Sequence, residues 1–264
     1  MFALADLESS LAGTVFAGNL HYSASTGSTN SDALAAARAG APHGSVFFAD
    51  EQTAGRGRGG HAWHSAPGDG LYLSVLVRPS LRLHDALLLS LATGLAARHA
   101  VLRISGLALD IRWPNDLMLG SRKVGGILVE TAVEPGNDPW LRHAVIGIGI
   151  NVHHTTFPRE LQPIATSLAI ERPGHPIART QLVIALLRSL DLELTLLEDG
   201  DNIPSLLRRL TAASTWVSGK RVTVPEHGGY TGVTAGLNDS GYLLIDADGN
   251  TRRTVLSGGV REPT

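Results

Sequence analysis

The segment 143–151, His-Ala-Val-Ile-Gly-Ile-Gly-Ile-Asn, constrains the fold of this chain more than any other stretch. Its apolar run is typical of a β-strand that is buried on both faces. Gly147 and Gly149 occupy alternate positions, and alternate residues of a strand lie on the same face. One face of this strand therefore lacks side chains at two positions. Such a flat surface is either the floor of a ligand site or a contact surface for a closely packed helix, and the sequence leaves both open.

The remaining patterns predict an α+β fold with two domains. A mixed β-sheet packed with helices is predicted for residues 1–214. Its predicted strands are 21–25, 45–51, 71–77, 109–113, 117–119 and 123–130, and its predicted helices are 32–39, 83–103, 177–198 and 203–213. In residues 215–264, short strands alternate with glycine turns, which predicts a small all-β barrel. These strands are 221–224, 230–234, 242–245 and 251–256.

Composition and charge narrow the function classes. The chain has 264 residues, of which 22 are basic and 24 acidic, a formal net charge of −2 and no cysteine. The balanced charge argues against a chain-wide surface for nucleic acid, and the missing cysteines exclude disulfides and thiolate metal sites. Residues 1–20 lack the basic start of a signal peptide, and we find no apolar run of about 18 residues that would span a membrane. We therefore expect a soluble, cytoplasmic protein.

A loop rich in glycine and arginine follows the predicted strand 45–51. Residues 52–60 read Gln-Thr-Ala-Gly-Arg-Gly-Arg-Gly-Gly. Glycine lets the backbone approach a ligand closely, and arginine presents a rigid fork of donors to phosphate or carboxylate. Arg56 and Arg58 therefore indicate either a mobile loop that closes over an anion or a flexible surface loop with solvated side chains.

Two other places carry groups suited to a ligand. Ser28, Thr29 and Asn30 stand at a strand-to-helix turn where one capping residue would suffice, so they predict capping together with contact to a small polar ligand. The pair Gly125-Gly126 lies inside a strand, which indicates close approach of a ligand or of another backbone.

A further group combines cationic and polar residues. Arg56, Arg58 and Lys123 can neutralise a phosphate and a carboxylate that are brought together. Asp116 and Asn151 can supply oxygen ligands for Mg²⁺. The sequence contains no P-loop, no complete dinucleotide fingerprint, no His-Glu-x-x-His zinc motif and no Gly-x-Ser-x-Gly elbow. The residues by themselves thus predict an anionic, nucleotide-containing ligand and activation of a carboxylate.

These motifs, in this order, resemble the biotin protein ligases. The resemblance is close over residues 22–170 and looser in the C-terminal domain. It rests on the segments Thr26-Gly27-Ser28-Thr29-Asn30, 52–59, Trp113-Pro114-Asn115-Asp116, 122–130, 147–151 and Thr166-Ser167-Leu168. The resemblance implies a fold of the biotin/lipoate ligase type, similar to class II synthetases, followed by an SH3-like β-barrel.

The resemblance also implies a two-step reaction. The carboxylate of biotin attacks the α-phosphorus of ATP and gives biotinyl-5′-AMP and pyrophosphate. A lysine of a biotin carboxyl carrier domain then attacks the acyl carbon and releases AMP. Lys123 matches the essential lysine of the family, and Arg56 and Arg58 match the loop that orders over the adenylate.

Carried over residue by residue, the resemblance implies three overlapping sets of site residues. The catalytic set is Lys123, Arg58 and Asp116, with Asp116 assisting deprotonation of the acceptor lysine. The biotin-binding set is Ser28, Thr29, Asn30, Gln52, Gly55, Arg56, Gly57, Arg58, Lys123, Gly125, Gly126, Ile127 and Gly147. The nucleotide-binding set is Arg56, Arg58, Trp63, Asn115, Lys123 and Asn151, with Asn151 also a ligand for Mg²⁺ and Trp63 alternatively a core anchor.

ATP, Mg²⁺ and biotin are the implied small molecules, and no tightly bound prosthetic group is expected. The implied partner is a biotin carboxyl carrier domain, and a homodimer is possible, but no nucleic-acid or membrane partner is expected. Only about twenty residues precede the first motif, so we expect a ligase without the N-terminal DNA-binding domain of some relatives. The alternatives are a lipoate or octanoyl protein ligase, an RNA-binding module that uses the Arg-Gly segment, and a non-catalytic biotin sensor.

Overall fold

The computed structural model describes residues 2–225, 229–249 and 251–263, which form two β-sheets and six α-helices. The first sheet comprises β1 (Leu20–Thr26), β2 (Ser45–Gln52), β3 (Gly70–Val77), β4 (Asp110–Arg112), β5 (Asp116–Leu119), β6 (Arg122–Val133) and β7 (Leu141–Asn151). The helices are α1 (Leu4–Ser10), α2 (Thr29–Arg38), α3 (Ala86–Ser105), α4 (Leu168–Glu171), α5 (Arg179–Glu198) and α6 (Ile203–Ala212). The second sheet comprises β8 (Ser218–Val224), β9 (Tyr230–Leu237), β10 (Leu243–Ala247) and β11 (Thr251–Val255). The predicted α+β class is confirmed.

The first sheet is mixed, with the strand order β1-β2-β3-β7-β6-β5-β4. Strands β1 and β2 are parallel, because the chain crosses from one to the other through α2, and the other neighbours are antiparallel. In this register Ser74 pairs with Gly147, and Gly149 pairs with both Tyr72 and Gly126. Gly126, Gly147 and Gly149 therefore lie on one face of the sheet, and Gly125 lies on the other.

The two faces of this sheet are covered differently. The main apolar core lies on one face, where α3 and α5 pack over residues such as Val75, Ile146 and Ile148. On the other face α2 packs through Ala33 and Ala37 against β3 and β7. Small residues in α2 let its backbone approach the sheet closely, so the start of this helix lies beside the glycines.

Helix α3 is apolar enough to resemble a membrane-spanning helix, but it is buried inside the protein. The segment Leu83–Ser105 has the length and composition of a membrane-spanning helix, contrary to our expectation that the chain has no such run. However, 67% of its apolar window is buried inside the protein, where it packs on α5 and the sheet. We therefore interpret α3 as a core helix.

The second sheet has the order β11-β10-β9-β8, and Arg261 forms a further antiparallel bridge to Thr223. Its apolar residues belong to the same continuous core as those of the first sheet. Helix α6 ends at Ala212 and β8 begins at Ser218, so the predicted division near residue 214 lies in a short connection. We retain 1–214 and 215–264 as a proposed division of the sequence, within one packed structure.

Several element bounds differ from the sequence-based expectation, and two elements, α1 and α4, have no predicted counterpart. Helix α1 has no predicted counterpart, because it is short and a single residue, Leu7, is its buried anchor. Strand β6 continues beyond Glu130 to Val133, because β7 begins earlier than predicted and pairs with it as far as Leu141.

Candidate active site

The start of α2 forms one wall of a cavity on the glycine face. Ser28, Thr29 and Asn30 are all buried, and Ser28 occupies the N-cap position without capping the helix through its side chain. Instead, the backbone N–H and the hydroxyl of Thr29 donate to Oε1 of Gln52 at 2.9 and 3.1 Å. The amide nitrogen of Gln52 donates to Ser65 Oγ at 2.9 Å. Both ends of the Gln52 side chain are thus held by hydrogen bonds. Because Ser28 does not cap α2 through its side chain, its hydroxyl is available to a ligand.

A polar network beneath this wall includes residues that the sequence did not predict. The hydroxyl of Ser74 donates to Asn30 Oδ1 at 2.5 Å, and Asn30 Nδ2 donates to Glu130 at 2.8 Å. The same carboxylate oxygen accepts from Arg56 Nη2 at 2.9 Å. The charge of Arg56 is therefore balanced by Glu130, and the network ties the glycine–arginine loop to α2. Ser74 was detectable only as a lone hydroxyl in an apolar strand, and Glu130 only as a charge near a strand end.

The glycine–arginine loop folds back on itself above the sheet. The N–H of Gly57 donates to the carbonyl of His61 at 2.7 Å, and the N–H of Trp63 donates to the carbonyl of Gly55 at 2.9 Å. A Cβ at Gly55 would lie 2.6 Å from the carbonyl oxygen of Trp63. Gly55 thus serves the tight backbone packing of the loop. Our expectation that the loop is poorly ordered without ligand stays a prediction.

Trp63 lies flat on the glycine floor. A Cβ on Gly149 would approach Cε2 and Nε1 of the indole to 2.6 Å, and one on Gly126 would lie 3.6 Å from Cζ3. A Cβ on Gly147 would instead meet Asn30 Oδ1 at 2.1 Å. The sequence had left open whether the flat strand face contacts a helix or forms the floor of a site. At Gly147 it contacts Asn30 of α2, and at Gly149 it contacts the indole of the loop.

Two cavities meet at Trp63. The first, of about 50 Å³, is lined by Ser28, Thr29, Asn30, Gln52, Arg56, Gly57, Arg58, Trp63, Leu73, Asn115, Lys123, Gly126, Ile127, Leu128, Gly147, Ile148 and Gly149. The second, of about 240 Å³, is lined by His61, Ala62, Trp63, His64, Lys123, Asn151, Phe157, Leu161, Ile164 and Ala165. Most of the predicted biotin set thus shares the first cavity, apart from Gly55 and Gly125. Gly125 serves sheet packing, because a Cβ there would lie 2.7 Å from the carbonyl oxygen of Gly149.

Lys123 lies where the two cavities adjoin, and its ammonium is held by a carboxylate. Its Nζ is 2.5 Å from Asp116 Oδ1, while Nε and Nη2 of Arg112 donate to Asp116 Oδ2 at 3.0 and 2.7 Å. Burial by itself raises the pKa of Asp116, but Lys123 and Arg112 together hold the pKa below its usual range. An ionised carboxylate bound to two cations is a weak base. This placement argues against the predicted role of Asp116 in deprotonating the acceptor lysine and favours a role in orienting Lys123.

Arg58 and Asn115 border the first cavity on the side of the second sheet. Nη1 of Arg58 donates to Asn115 Oδ1 at 3.1 Å and to the carbonyl of Gly258 at 3.0 Å. Asn115 Nδ2 donates to the carbonyl of Ile127 at 2.9 Å, which fixes the amide. One guanidinium therefore connects the loop, the Trp-Pro-Asn-Asp segment and the C-terminal domain.

Asn151 lies apart from the first cavity, in the wall of the second. Its amide nitrogen donates to the carbonyl of Thr166 at 2.9 Å, so the amide oxygen is the end that can face a ligand. Among the described residues no group of three His, Asp or Glu side chains is arranged to hold a metal ion. The residues thus fit at most a single amide ligand to a Mg²⁺ that arrives on phosphates, and not a protein cage for the ion.

Comparisons with known proteins agree with this geometry. The family model described as "Biotin/lipoate A/B protein ligase family" matches residues 22–151, and the model "Biotin protein ligase C terminal domain" matches residues 217–260. The chain is 36% identical over 243 residues to the biotin--[acetyl-CoA-carboxylase] ligase of Mycobacterium tuberculosis, covering 89% of this chain and 85% of that protein. It is 33% identical over 224 residues to the bifunctional ligase/repressor BirA of Bacillus subtilis, covering 84% of this chain and 67% of the relative.

A solved structure extends the comparison to three dimensions. The biotin protein ligase from Aquifex aeolicus in complex with biotin and ATP matches with a TM-score of 0.75 and 27% identity, covering 92% of this chain and 98% of that one. The chain spans about two thirds of the length of its Bacillus relatives. On these matches and on the shared motifs, the chain belongs to the biotin protein ligases of the biotin/lipoate A/B protein ligase family.

Proposed function

We propose that this chain is an ATP-dependent biotin protein ligase, which forms biotinyl-5′-AMP and transfers biotin to a lysine of a carrier domain. The observation that carries the proposal is the position of Lys123, which lines both cavities. The first cavity presents polar groups and a glycine floor, and the second is largely apolar. Biotin in the first cavity and ATP in the second would each place a reacting group beside the ammonium of Lys123. The bond between the biotin carboxylate and the α-phosphate would form there.

The first cavity suits the head of biotin. A ureido ring carries N–H donors and a carbonyl acceptor. The Ser28 hydroxyl can pair with it directly, and Thr29 and Gln52 can do so by exchanging the hydrogen bonds that they make with each other. The dithiolane of lipoate makes no comparable hydrogen bonds with the Ser28 hydroxyl, so it would gain less from this polar wall than a ureido ring does. This argues for biotin over the lipoate or octanoyl alternative.

Entry of biotin requires Trp63 to move. A cavity of about 50 Å³ accommodates a few water molecules but not a bicyclic ring. The indole of Trp63 lies on Gly149, over the surface that the rings would need. We expect the loop to swing outward with Trp63 and to close again over the bound ligand, which keeps water from the mixed anhydride.

The first chemical step is an encounter of two anions. The biotin carboxylate and the α-phosphate repel each other, and fixed positive charge at the point of attack lowers that barrier. Lys123 and Arg58 line the first cavity and supply such charge, although Lys123 also pairs with Asp116 at 2.5 Å. Arg56 lines the same cavity, and its pair with Glu130 at 2.9 Å ties the loop to β6. Arg56 therefore serves to hold the loop closed. Mg²⁺ would supply further charge neutralisation on the phosphates of ATP, with Asn151 as a candidate side-chain ligand; Asp116, the other predicted oxygen ligand, is bound to Lys123 and Arg112.

The second cavity suits the adenine ring. Its walls are mainly apolar or aromatic, including Phe157 and Ile164, and Asn151 adds one amide. Apolar clefts with few polar groups are typical of sites for planar ligands. Trp63 lines both cavities, which supports its proposed role as a nucleotide contact. It is only partly buried and lies outside the apolar core, so the alternative of a core anchor is wrong.

The carrier lysine can reach the site along an open strand edge. Strand β5 pairs with β6 only as far as Gly126, and no strand of the described chain pairs with that side of β6 further on. A groove of about 170 Å³ follows this edge past Val129 and Thr131 and ends at Arg58 and Asn115. We propose that a biotin carboxyl carrier domain docks on this edge. Homodimer formation stays a separate prediction.

The test is ATP–pyrophosphate exchange, measured with biotin, with lipoate and without an acid. We expect pyrophosphate exchange when biotin is the added acid, but not with lipoate or without an acid. An apo carrier domain should then gain the mass of one biotinyl group, and its acceptor Lys→Arg variant should not. Exchange with lipoate in place of biotin would overturn the assignment of the substrate. No exchange with either acid would overturn the ligase function itself.

A further inference from the structure

The C-terminal domain docks on the residues that lead to the reactive lysine. The hydroxyl of Thr215 donates to Asp110 Oδ2 at 2.6 Å, and Nε1 of Trp113 donates to the carbonyl of Gly241 at 3.0 Å. Between these two contacts, the guanidinium carbon of Arg112 lies 5.2 Å from the ring centroid of Trp216. The contacts span the segment that runs from β4 to Asp116.

Arg112 continues this contact toward the active site. Its guanidinium uses two nitrogens on one carboxylate oxygen of Asp116, and the other oxygen of Asp116 lies 2.5 Å from Nζ of Lys123. The result is an unbroken chain of contacts from Trp216 through Arg112 and Asp116 to Lys123. Each of the three charged side chains is less than one-third exposed, at 24%, 18% and 31%, so water screens them only in part.

This chain limits how Asp116 can interact with Lys123. A carboxylate without Arg112 can rotate and bind the ammonium with both oxygens, which would draw Lys123 away from the cavities. With Arg112 bound to Oδ2, a single oxygen faces Lys123. The face of Trp216 in turn restricts the guanidinium, since cation–π contacts within about 6 Å are attractive.

We propose that Arg112 is a positioning residue which, held by Trp216 of the C-terminal domain, fixes Asp116 and thereby places the ammonium of Lys123 at the junction of the two cavities. The inference rests on the proposed function, in which Lys123 acts on the reacting carboxylate and phosphate.

The test is a double-mutant cycle on biotin-dependent ATP–pyrophosphate exchange with the full chain. The variants are Arg112→Gln, Trp216→Leu and the double variant, with separate kcat and KM values for biotin. Lys220→Ala is the matched control, because Lys220 lies 4.7 Å from the same indole but is paired with Glu262 instead of Asp116. Thermal melting of each variant identifies any general loss of folding.

We expect Arg112→Gln to lower kcat on the order of 10- to 100-fold with KM for biotin changed less than about threefold, because a misplaced catalytic group affects the chemical step most. Trp216→Leu should lower kcat less, and should have little further effect once Arg112 is Gln. Lys220→Ala should keep the wild-type kcat. Arg112→Lys, which keeps the charge but not the two-nitrogen contact, should recover part of the loss.

Three results would overturn the inference. These are fully additive losses of kcat in the cycle, a loss in Lys220→Ala equal to that in Trp216→Leu, and Arg112→Gln changing melting temperature but not kcat. All three presuppose that the wild-type chain shows biotin-dependent exchange. If the wild type shows none, the proposed function fails first, so the two failures are distinguishable.

Discussion

Adding one methyl group at Gly147 should disrupt the biotin side of the site. The new Cβ would lie 2.1 Å from Asn30 Oδ1 and 2.8 Å from its Cγ, and both distances are well inside van der Waals contact. Asn30 is buried at the start of α2 and cannot move outward without leaving its partners. Gly147→Ala should therefore expel the Asn30 side chain from its hydrogen bonds with Ser74 and Glu130.

The size of the effect follows from the two bonds lost. The Ser74 bond, between neutral groups, contributes about 1 kcal/mol, and the Glu130 bond contributes about 2 kcal/mol because its acceptor is charged. Replacing glycine by alanine returns up to about 1 kcal/mol by restricting the unfolded chain. The net loss of about 2 kcal/mol should lower the melting temperature by about 6 °C for a chain of this size. Biotin affinity, measured by calorimetry, should fall at least about tenfold, a change of about 1.4 kcal/mol.

Gly126→Ala is the matched control on the neighbouring strand. Its Cβ would meet Cε and Nζ of Lys123 at 3.1 and 3.2 Å, and the end of a lysine side chain can shift at little cost. This variant should melt within about 2 °C of wild type, yet lose pyrophosphate exchange because Lys123 is displaced. If Gly147→Ala melts and binds biotin like wild type, Asn30 is not confined as the structure indicates, and the reasoning fails.

Three further predictions concern the charged groups. Lys123→Ala should abolish pyrophosphate exchange while its circular dichroism stays that of wild type; exchange at the wild-type rate would refute the role of Lys123. Arg58→Gly should release biotinyl-5′-AMP into solution faster, because its contacts with Asn115 and Gly258 are lost; equal retention of the adenylate, measured by filtration, would show that the loop is not a lid. Because the folded pKa of Asp116 is depressed, its ion pairs stabilise the fold above the pKa of the unfolded carboxyl, and this stabilisation is lost as the pH falls through the lower, folded pKa. Asp116→Asn should therefore unfold at lower urea than wild type near pH 7, with a difference that shrinks toward about pH 3, and a difference that does not change with pH would contradict the assignment.

Much of the fold followed from local patterns in the sequence. The glycine spacing in β7 and the apolar runs of β2 and β3 identified these strands as interior strands of the sheet. A strand that is buried on both faces has apolar or small side chains at successive positions, without polar alternation. The sequence could not show whether the face of β7 that carries Gly147 and Gly149 contacts a helix or a ligand. That depends on which partner lies above each position, and α2 reaches Gly147 whereas Trp63 reaches Gly149.

Residues that line the first cavity were predictable where the motif itself contacts the cavity, and their roles in binding stay predictions. Ser28, Thr29, Gln52 and Lys123 line it as expected. The supporting residues were not predictable, because their roles come from distant parts of the chain. Glu130 binds Arg56 across 74 positions, and nothing in its own strand indicates that partner.

The connection between the two domains has a consequence for the solubility of the first. Strand β4 is an edge of the seven-stranded sheet, and exposed edges invite pairing with other chains. Ser214 occupies the Ile111 carbonyl of this edge, and the N–H and hydroxyl of Thr215 bind the Asp110 carboxylate at 2.9 and 2.6 Å. The first residues after α6 thus cover this edge. A chain ending at residue 213 should self-associate on sedimentation, because it exposes this edge together with the apolar core that it shares with the second sheet. A monodisperse truncated chain would show that neither surface needs cover.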